Sequence, residues 1–506
     1  MNFRLPASRR YIKEHPELVP LLIGVAVLVL RSIINFGESL WLDETIAAWI
    51  AKDGFQDVFG RATGFQGQSP FYFLAPWAVS KVFGFHEWAL RLPSLAFNLV
   101  TVAALFHLFR ELAGKDVAGY GAGIFAIIAA CDSQLQGARP YALAICCFSL
   151  SLTLLVRWAQ SAKWSLMICF ALATSAILYA HYLFALGLPL FALVLVYLGK
   201  GLRIGYRHIL AAIATCAIFT LPAGWQLSRL ASVAKLYSFS PPPTIEAWAF
   251  VTTGEWPTVY LLPIIAVIWL ACRRMRADDT SRFEGSALLA LCMWLYPSVA
   301  LAAVSLLTDH PVFIQRYALY SVVGESLLLG VLLCLLRPSR LRTSIFVGAS
   351  ALAIASTPLH HFFAEDWRAA INDIPDTTPE PSVVIIWTGL VEGRDLGWVL
   401  SPEKRAYLLA PLAMYPVSLP IALMPFNPNE ISLESGFTSS DRAAITSAKR
   451  IFLVIRTSYP IKSAITEEGT RIRVPWLAPN EAFIKRSLKE YPGVGVLEIE
   501  RPGPGE

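Results

Sequence analysis

The stretch LVPLLIGVAVLVLRSIINFGESLWLDET, residues 18–45, decides how the rest of the chain is interpreted. It begins with an apolar run long enough to cross a bilayer, which takes about 20 residues of helix. It ends in two adjacent carboxylates, Asp43 and Glu44. Charged groups at the edge of a membrane are costly and usually serve a function. The stretch therefore indicates a membrane protein with a polar site just beyond its first span.

The composition of the whole chain points the same way. Of 506 residues, 56% are hydrophobic and 15% are charged, whereas soluble domains carry roughly 25% charged residues. Hydrophobic runs follow one another through residues 18–359, and residues 360–506 have a mixed composition. We expect a polytopic α-helical membrane domain at 18–359 after a short N-terminal segment, 1–17, and a small soluble domain at 360–506. The net charge of +6 is modest and does not indicate nucleic-acid binding.

The basic loops predict the orientation in the membrane, because Lys and Arg in short loops favour the cytoplasmic side. If the short run at residues 70–83 lies flat on the outer surface as an interfacial helix, all basic loops share the side of the basic N-terminus. The chain then has about eleven spans, residues 1–17 inside, a first outer loop at 38–91 and residues 360–506 outside. Spans should begin near Leu18, Leu92, Val117, Ala138, Trp164, Leu183, Ile209, Thr258, Ser286, Tyr317 and Leu341.

This topology places scattered polar residues on the outer side, where we expect one shared site. A carboxylate can take the proton of an attacking hydroxyl, so Asp43 with Glu44 is the candidate base. Arginine binds phosphate with paired hydrogen bonds that lysine cannot match, so Arg139 and Arg316 are candidate phosphate ligands. The further candidates for substrate binding are Gln68, Arg91, Asp132, Tyr141, His181 and Tyr317.

Each candidate also has a purely structural interpretation. Acidic residues favour the first turn of a helix, and Asp132 with Arg139 could form a pair that only caps two helices. Tyr, Arg and His are common anchors at the membrane surface. A divalent metal ion is a further alternative, because carboxylates and imidazole are suitable ligands, although no spacing requires one. The candidate metal ligands are Asp43, Glu44, Asp132 and His181.

An ordered set of short motifs resembles the membrane glycosyltransferases of the GT-C superfold, in particular the family 39-like group. That group contains the protein O-mannosyltransferases and the lipid A aminoarabinose transferases. Each motif is weak alone, and the ordered set is specific to the superfamily but not to a substrate. The motifs are LDE at 42–44, QSPFYF at 68–73, WALRLPS at 88–94, GARPYAL at 137–143, RY at 316–317 and EDWRAA at 365–370.

The resemblance implies an inverting transfer of a sugar from a polyprenyl-phosphate donor, on the outer face of a bacterial inner membrane. The acceptor could be a lipid, a glycan or a protein. In the family, an acidic residue of the first outer loop serves as base or acceptor ligand, which corresponds to Asp43. A second acidic position corresponds to Asp132, and basic residues near the lipid phosphate correspond to Arg139 and Arg316. Relatives often have His or Lys where this chain has Gln68, which supplies no positive charge.

Other classes of membrane protein remain as alternatives. A transporter or flippase is expected to show internal repeats and broken helices near the midplane, and no clear repeat occurs. A lipid-linked glycan polymerase or ligase would place its main catalytic groups in a large late outer loop, whereas the acidic pair here lies in the first. A structural assembly subunit would leave the outer polar residues without a use. No nucleotide-binding fingerprint occurs in the sequence, which is consistent with a lipid-linked donor.

The C-terminal region predicts a small α/β sheet domain that is at least partly parallel. Short β-branched runs at 382–387 and 450–456 indicate buried strands, and 495–499 indicates a last strand. Helices are expected at 365–371 and 481–491. The region contains no cluster that we would identify as catalytic, so it could shape access for the acceptor or only stabilise the fold.

Overall fold

The computed structural model describes residues 15–65, 69–237, 240, 242–253, 281–308, 310–336, 339–359, 362–427, 432–457, 466–468, 471–478 and 481–503. The chain divides into two compact units. The helical unit consists of Met1–Phe36, Gly67–Ala75 and Arg91–Leu359. The sheet unit consists of Gly37–Gln66, Pro76–Leu90 and His360–Glu506. Two segments of the predicted first loop thus belong to the same unit as the C-terminal region.

The described helices comprise long apolar segments and shorter ones. They are α1 (Leu18–Asn35), α2 (Leu42–Ala51), α3 (Phe55–Gly64), α4 (Leu74–Phe83), α5 (Glu87–Ala113), α6 (Lys115–Cys131), α7 (Ser133–Gln136), α8 (Tyr141–Ser161), α9 (Trp164–Ala180), α10 (Pro189–Leu198), α11 (Tyr206–Tyr237), α12 (Ile245–Thr253), α13 (Ser281–Leu307), α14 (Ser321–Cys334), α15 (Ser339–Ser356), α16 (Trp367–Asn372), α17 (Leu396–Leu400), α18 (Pro402–Leu408), α19 (Pro411–Met414), α20 (Leu433–Gly436) and α21 (Ser439–Ser447).

The predicted polytopic helical architecture is confirmed. Within the described residues, five helices are long and apolar enough to cross a membrane: Leu18–Asn35, Glu87–Ala113, Tyr141–Ser161, Tyr206–Gly224 and Glu284–Leu307. Three shorter apolar helices are Trp164–Ala180, Tyr182–Leu198 and Ser321–Leu335. The number of spans stays a prediction, and the span expected near Thr258 lies outside the described residues.

Helix α6 packs against α1 with almost no space between the two backbones. A Cβ atom on Gly24 of α1 would lie 2.5 Å from the carbonyl oxygen of Gly123 in α6. A Cβ atom on Gly123 would lie 2.6 Å from the carbonyl oxygen of Pro20. Small residues permit this close approach, which is a common basis of helix association in membranes. A side chain at either position would collide with the neighbouring backbone, so both positions require glycine.

The sheet unit contains one seven-stranded sheet with the order β2-β1-β3-β7-β6-β5-β4. Strand β1 pairs in parallel with β2 and β3, and the remaining pairs are antiparallel. The predicted, partly parallel sheet is thus confirmed. The strands are β1 (Ser382–Trp387), β2 (Ile421–Leu423), β3 (Arg450–Arg456), β4 (Thr466–Glu468), β5 (Arg471–Arg473), β6 (Ala482–Tyr491) and β7 (Val494–Glu500).

The helix predicted at 481–491 is wrong, because this segment forms strand β6. Its lysines and glutamate favour a helix, but its neighbour β7 is a buried apolar strand that needs a partner. Pairing across the tight turn at Gly493, whose φ is +65°, decides the outcome. Tertiary context overrides local propensity here. The other predictions hold: strands occur at 382–387, 450–456 and 494–500, and the short helix is α16.

Both faces of the central strand β1 are buried. A residue from near the start of the chain, Leu42, helps to cover one of these faces. Val383 and Ile385 of β1 belong to one hydrophobic cluster, and Val384 and Ile386 belong to the other, as alternation along a strand requires. The second cluster also contains Leu42, the first residue of α2. The helix that begins at Leu42 is therefore part of the hydrophobic core of the sheet unit.

Candidate functional site

In the helical unit, the turn between α6 and α8 is fixed by helix capping. Asp132 Oδ1 accepts hydrogen bonds from the backbone N–H groups of Gln134 at 2.8 Å and Leu135 at 3.0 Å. These contacts cap the short helix α7 and satisfy two N–H groups that have no partner inside that helix. Asp132 Oδ1 thus caps a helix, the role that the structural interpretation assigned to this residue.

Small buried polar side chains hold the same turn from neighbouring helices. The Ser94 hydroxyl donates to the carbonyl of Gly137 at 2.6 Å, and Asn98 Nδ2 donates to the carbonyl of Leu135 at 2.8 Å. Both side chains are completely buried and lie four residues apart on one face of α5. The sequence analysis missed them, although polar residues within an apolar helix are a recognised signal. They fix the backbone of the turn from which Arg139 extends.

Several of the predicted residues come together around His181. Its ring centroid lies 5.3 Å from that of Tyr141 and 5.4 Å from that of Tyr317. The guanidinium carbon of Arg139 lies 5.9 Å from the ring centroid of Tyr141, and that of Arg316 lies 5.5 Å from that of Tyr317. We call these five residues the His181 cluster. It unites three stretches that are distant in sequence.

The environment of His181 keeps its ring neutral. The side chain is 7% exposed and lies in the link between two apolar helices. Burial, and then the positive charges of Arg139 and Arg316, lower the pKa of His181 to about 3. Among the described residues, its Nδ1 atom has no hydrogen-bond partner. A neutral imidazole offers one donor and one acceptor, so this ring can donate a hydrogen bond to an anion.

Arg91 makes contacts that stabilise the fold of the helical unit. Its guanidinium is completely buried, and Nη1 donates to the carbonyls of Asn35 at 3.3 Å and Phe36 at 3.1 Å. The last carbonyls of a helix have no partner within it, and basic side chains commonly bind them. Arg91 therefore fastens the end of α1.

In the sheet unit, the acidic pair lies in the first turn of α2. Glu44 is completely buried, and its Oε2 atom accepts a hydrogen bond from the N–H of Trp41 at 3.3 Å. This is the contact of a glutamate that caps its own helix. Asp43 is half-buried, so it is the carboxylate of the pair that solvent can reach.

A second acidic residue, Glu392, lies within the electrostatic range of Asp43. Its Oε1 accepts a hydrogen bond from the Tyr407 hydroxyl at 3.0 Å, and its buried Oε2 has no partner among the described residues. Burial raises the pKa of Glu392, and the negative charge of Asp43 adds to this rise. Sequence reasoning missed Glu392, because a single acid in a region of ordinary composition carries no signal.

The remaining predictions are a metal site and the role of Gln68. In the ranges that the structure describes, no group of three or more His, Cys, Asp or Glu side chains could hold a metal ion. Gln68 lies outside the described residues. Asp43 and the His181 cluster are described in separate units, and their shared outer opening stays a prediction.

Comparisons with known proteins agree with this fold. Residues 67–225 match the family model for dolichyl-phosphate-mannose-protein mannosyltransferase. The crystal structure of ArnT from Cupriavidus metallidurans in the apo state matches with a TM-score of 0.56 and 12% identity, over 97% of this chain and 98% of that one. The same protein bound to undecaprenyl phosphate matches with a TM-score of 0.54 and 12% identity, over 94% and 97%.

No curated protein matches the sequence significantly. At 12% identity the likeness to ArnT shows the fold alone, but it extends over nearly the whole chain. The family model covers the part of the helical unit that contains Asp132, Arg139 and His181. The predicted resemblance is thereby confirmed at the level of the fold: the chain has the fold of ArnT, and residues 67–225 match the mannosyltransferase family model.

Proposed function

We propose that this protein is an inverting glycosyltransferase. It moves a sugar from a polyprenyl-phosphate donor to an acceptor on the outer face of the membrane, with Asp43 as the general base. The observation that carries the proposal is the His181 cluster, in which two arginines and two tyrosines gather around a buried imidazole. The matched family model, named for a dolichyl-phosphate-mannose donor, and the fold shared with a protein that binds undecaprenyl phosphate support this donor class.

Arg139 and Arg316 would bind the phosphate of the donor. As the bond between the anomeric carbon and the phosphate oxygen breaks, the phosphate keeps the electron pair and its negative charge grows. Fixed positive groups stabilise such charge most in a site shielded from water. Both guanidinium groups lie over tyrosine rings, and such contacts help to orient a cation. The His181 ring can donate a further hydrogen bond to the phosphate.

Asp43 would activate the acceptor. Its carboxylate takes the proton of the acceptor hydroxyl while that oxygen attacks the anomeric carbon from the face opposite the phosphate. The new bond joins the acceptor oxygen to the anomeric carbon, and the proton remains on Asp43. Attack from the opposite face inverts the anomeric configuration. Glu44 does not take this role in the proposal, because its carboxylate caps α2.

The test is transfer of a radiolabelled sugar from polyprenyl phosphate by the purified protein. Asp43→Asn should lower kcat by about 10² to 10⁴-fold, the usual contribution of a general base. The matched control is Asp53→Asn, which removes a half-exposed carboxylate of the same unit that pairs with Arg61 and should leave kcat unchanged. Activity of Asp43→Asn close to that of the wild type would remove Asp43 from the mechanism.

The outer location of the site is tested separately by labelling. Single cysteines at positions 43 and 316, in a chain without other cysteines, should both react with a membrane-impermeant reagent added from outside. The proposed site requires both positions to face one compartment. Labelling of the two positions from opposite sides would exclude a site that uses both residues.

A further inference from the structure

Glu365 is a buried carboxylate of the sheet unit whose two oxygens are both occupied. It is 9% exposed. Oε2 accepts hydrogen bonds from the N–H of Leu42 at 2.9 Å and from Trp367 Nε1 at 2.8 Å. Oε1 accepts from Arg456, at 2.7 Å from Nε and 2.6 Å from Nη2. Hydrogen bonds with charged partners are among the stronger ones in proteins, so this carboxylate joins three parts of the unit.

These partners tie the start of α2 to the sheet. Arg456 is the last residue of β3, and Leu42 packs with Trp367 in one hydrophobic cluster. Leu42 is also the first residue of α2, where backbone N–H groups have no partner within the helix. Its side chain and its N–H are thus both held by the sheet unit. Asp43 is the next residue, so the same contacts fix its backbone.

The backbone around Glu365 is unusually constrained. Ala364 has a φ of +61°, which residues with a side chain rarely adopt. A Cβ atom on Gly493 would lie 2.6 Å from Glu365 Cγ and 2.7 Å from the carbonyl oxygen of Ala364. The N–H of Asp366 donates to the carbonyl of Pro492 at 2.8 Å. Strained residues persist where the surrounding structure holds them, and they cluster at functional sites.

We infer that Glu365 is a positioning residue for Asp43, because it anchors the first turn of α2 to strand β3. The inference rests on the proposed function, since the place of Asp43 matters for catalysis only if Asp43 is the base. It gives the C-terminal region a role in catalysis, and the sequence had left that role open. Glu365 itself takes no part in bond making.

The first test is kinetic and uses Glu365→Gln. The amide must turn an N–H group toward either Leu42 or Arg456, so one of the hydrogen bonds is lost. We expect kcat to fall about 10 to 100-fold, as for other residues that orient a catalytic group, with the KM for the lipid donor unchanged. Arg456→Lys keeps the charge and should give an intermediate kcat.

The matched control is Arg405→Ala. Arg405 Nη2 bonds buried Asp441 at 2.6 Å in the same unit. Loss of this ion pair in Arg405→Ala should lower the melting temperature and leave kcat unchanged. If Arg405→Ala and Glu365→Gln lower kcat to the same extent, Glu365 only stabilises the fold and the inference is wrong.

The second test does not need activity. Glu365→Gln should speed hydrogen exchange of the backbone amides at 42–45, whereas Arg405→Ala should not. Unchanged exchange there would overturn the inference. If Asp43→Asn remains fully active, the proposed function fails, while faster exchange in Glu365→Gln would still establish the anchor.

Discussion

The His181 cluster and the first turn of α2 hold their charged groups in different ways. In the cluster, Arg139 and Arg316 lie over aromatic rings, and after burial their positive charges are the next cause of the lowered pKa of His181. In the sheet unit, Glu365 and Arg456 form a partly buried ion pair. Contacts with aromatic faces orient the two cations of the cluster, whereas the ion pair in the sheet unit fixes the backbone at the start of α2.

The largest effect that tests this comparison is expected from Arg316→Ala. Loss of one donor to a developing phosphate charge should lower kcat/KM for the lipid donor by about 10² to 10³-fold. The fold should change little, because Arg316 is only partly buried. Donor titrations at saturating acceptor would measure this, and Arg316→Lys should recover only part of it, because lysine cannot form the paired contact. Unchanged use of the donor would exclude Arg316 as a phosphate ligand.

An intermediate effect is expected when His181 is replaced, and the quantity to measure is the dependence of the melting temperature on pH. Its pKa of about 3 in the folded protein lies below the usual 6.5, so the unfolded chain takes up the proton first. The stability that this neutral ring contributes is present above pH 6.5 and is lost as the pH falls toward 3. Between pH 6.5 and pH 4, the melting temperature of His181→Phe should therefore fall less than that of the wild type. An unaltered acid profile would show that His181 is not held neutral.

The smallest effect is expected from Glu392→Gln. The pKa of Glu392 is raised in the folded protein, so its stabilising contribution is present at low pH and is lost as the pH rises through the folded pKa. The variant should melt higher than the wild type at pH 8, and the difference should vanish near pH 4. In an Asp43→Asn background the gain should shrink, because one repulsive charge is gone. An equal gain in both backgrounds would show that the two carboxylates do not interact.

The helical unit could be predicted from the sequence because polar residues stand out in apolar runs. Arg139, His181 and Arg316 were recognisable by this contrast alone, and the structure brings these three together. Ser94 and Asn98 gave the same signal more weakly, since small polar side chains are common in membrane helices. What the sequence could not provide is the contact across distant helices that gives each residue its partner.

The sheet unit was harder to predict because its composition is ordinary. The apolar, β-branched runs at 382–387 and 450–456 identified two strands correctly, whereas the charged segment at 482–491 resembled a helix until its buried partner was known. Glu392 is one acid among many, and Glu365 stood out only as the first residue of the EDWRAA motif, with no partner indicated by the sequence. Nor did the sequence show that Leu42, in the predicted first loop, belongs to the core of this unit.

The anchor of α2 also constrains when the protein can become active during its synthesis. The hydrogen bond between Leu42 and Glu365 joins residues 323 positions apart. The ribosome therefore completes the proposed base early, but translation must continue through Arg456 before the backbone at Asp43 is fastened. We therefore expect a chain truncated before Glu365 to carry this carboxylate on an unanchored helix and to show reduced transfer of the sugar.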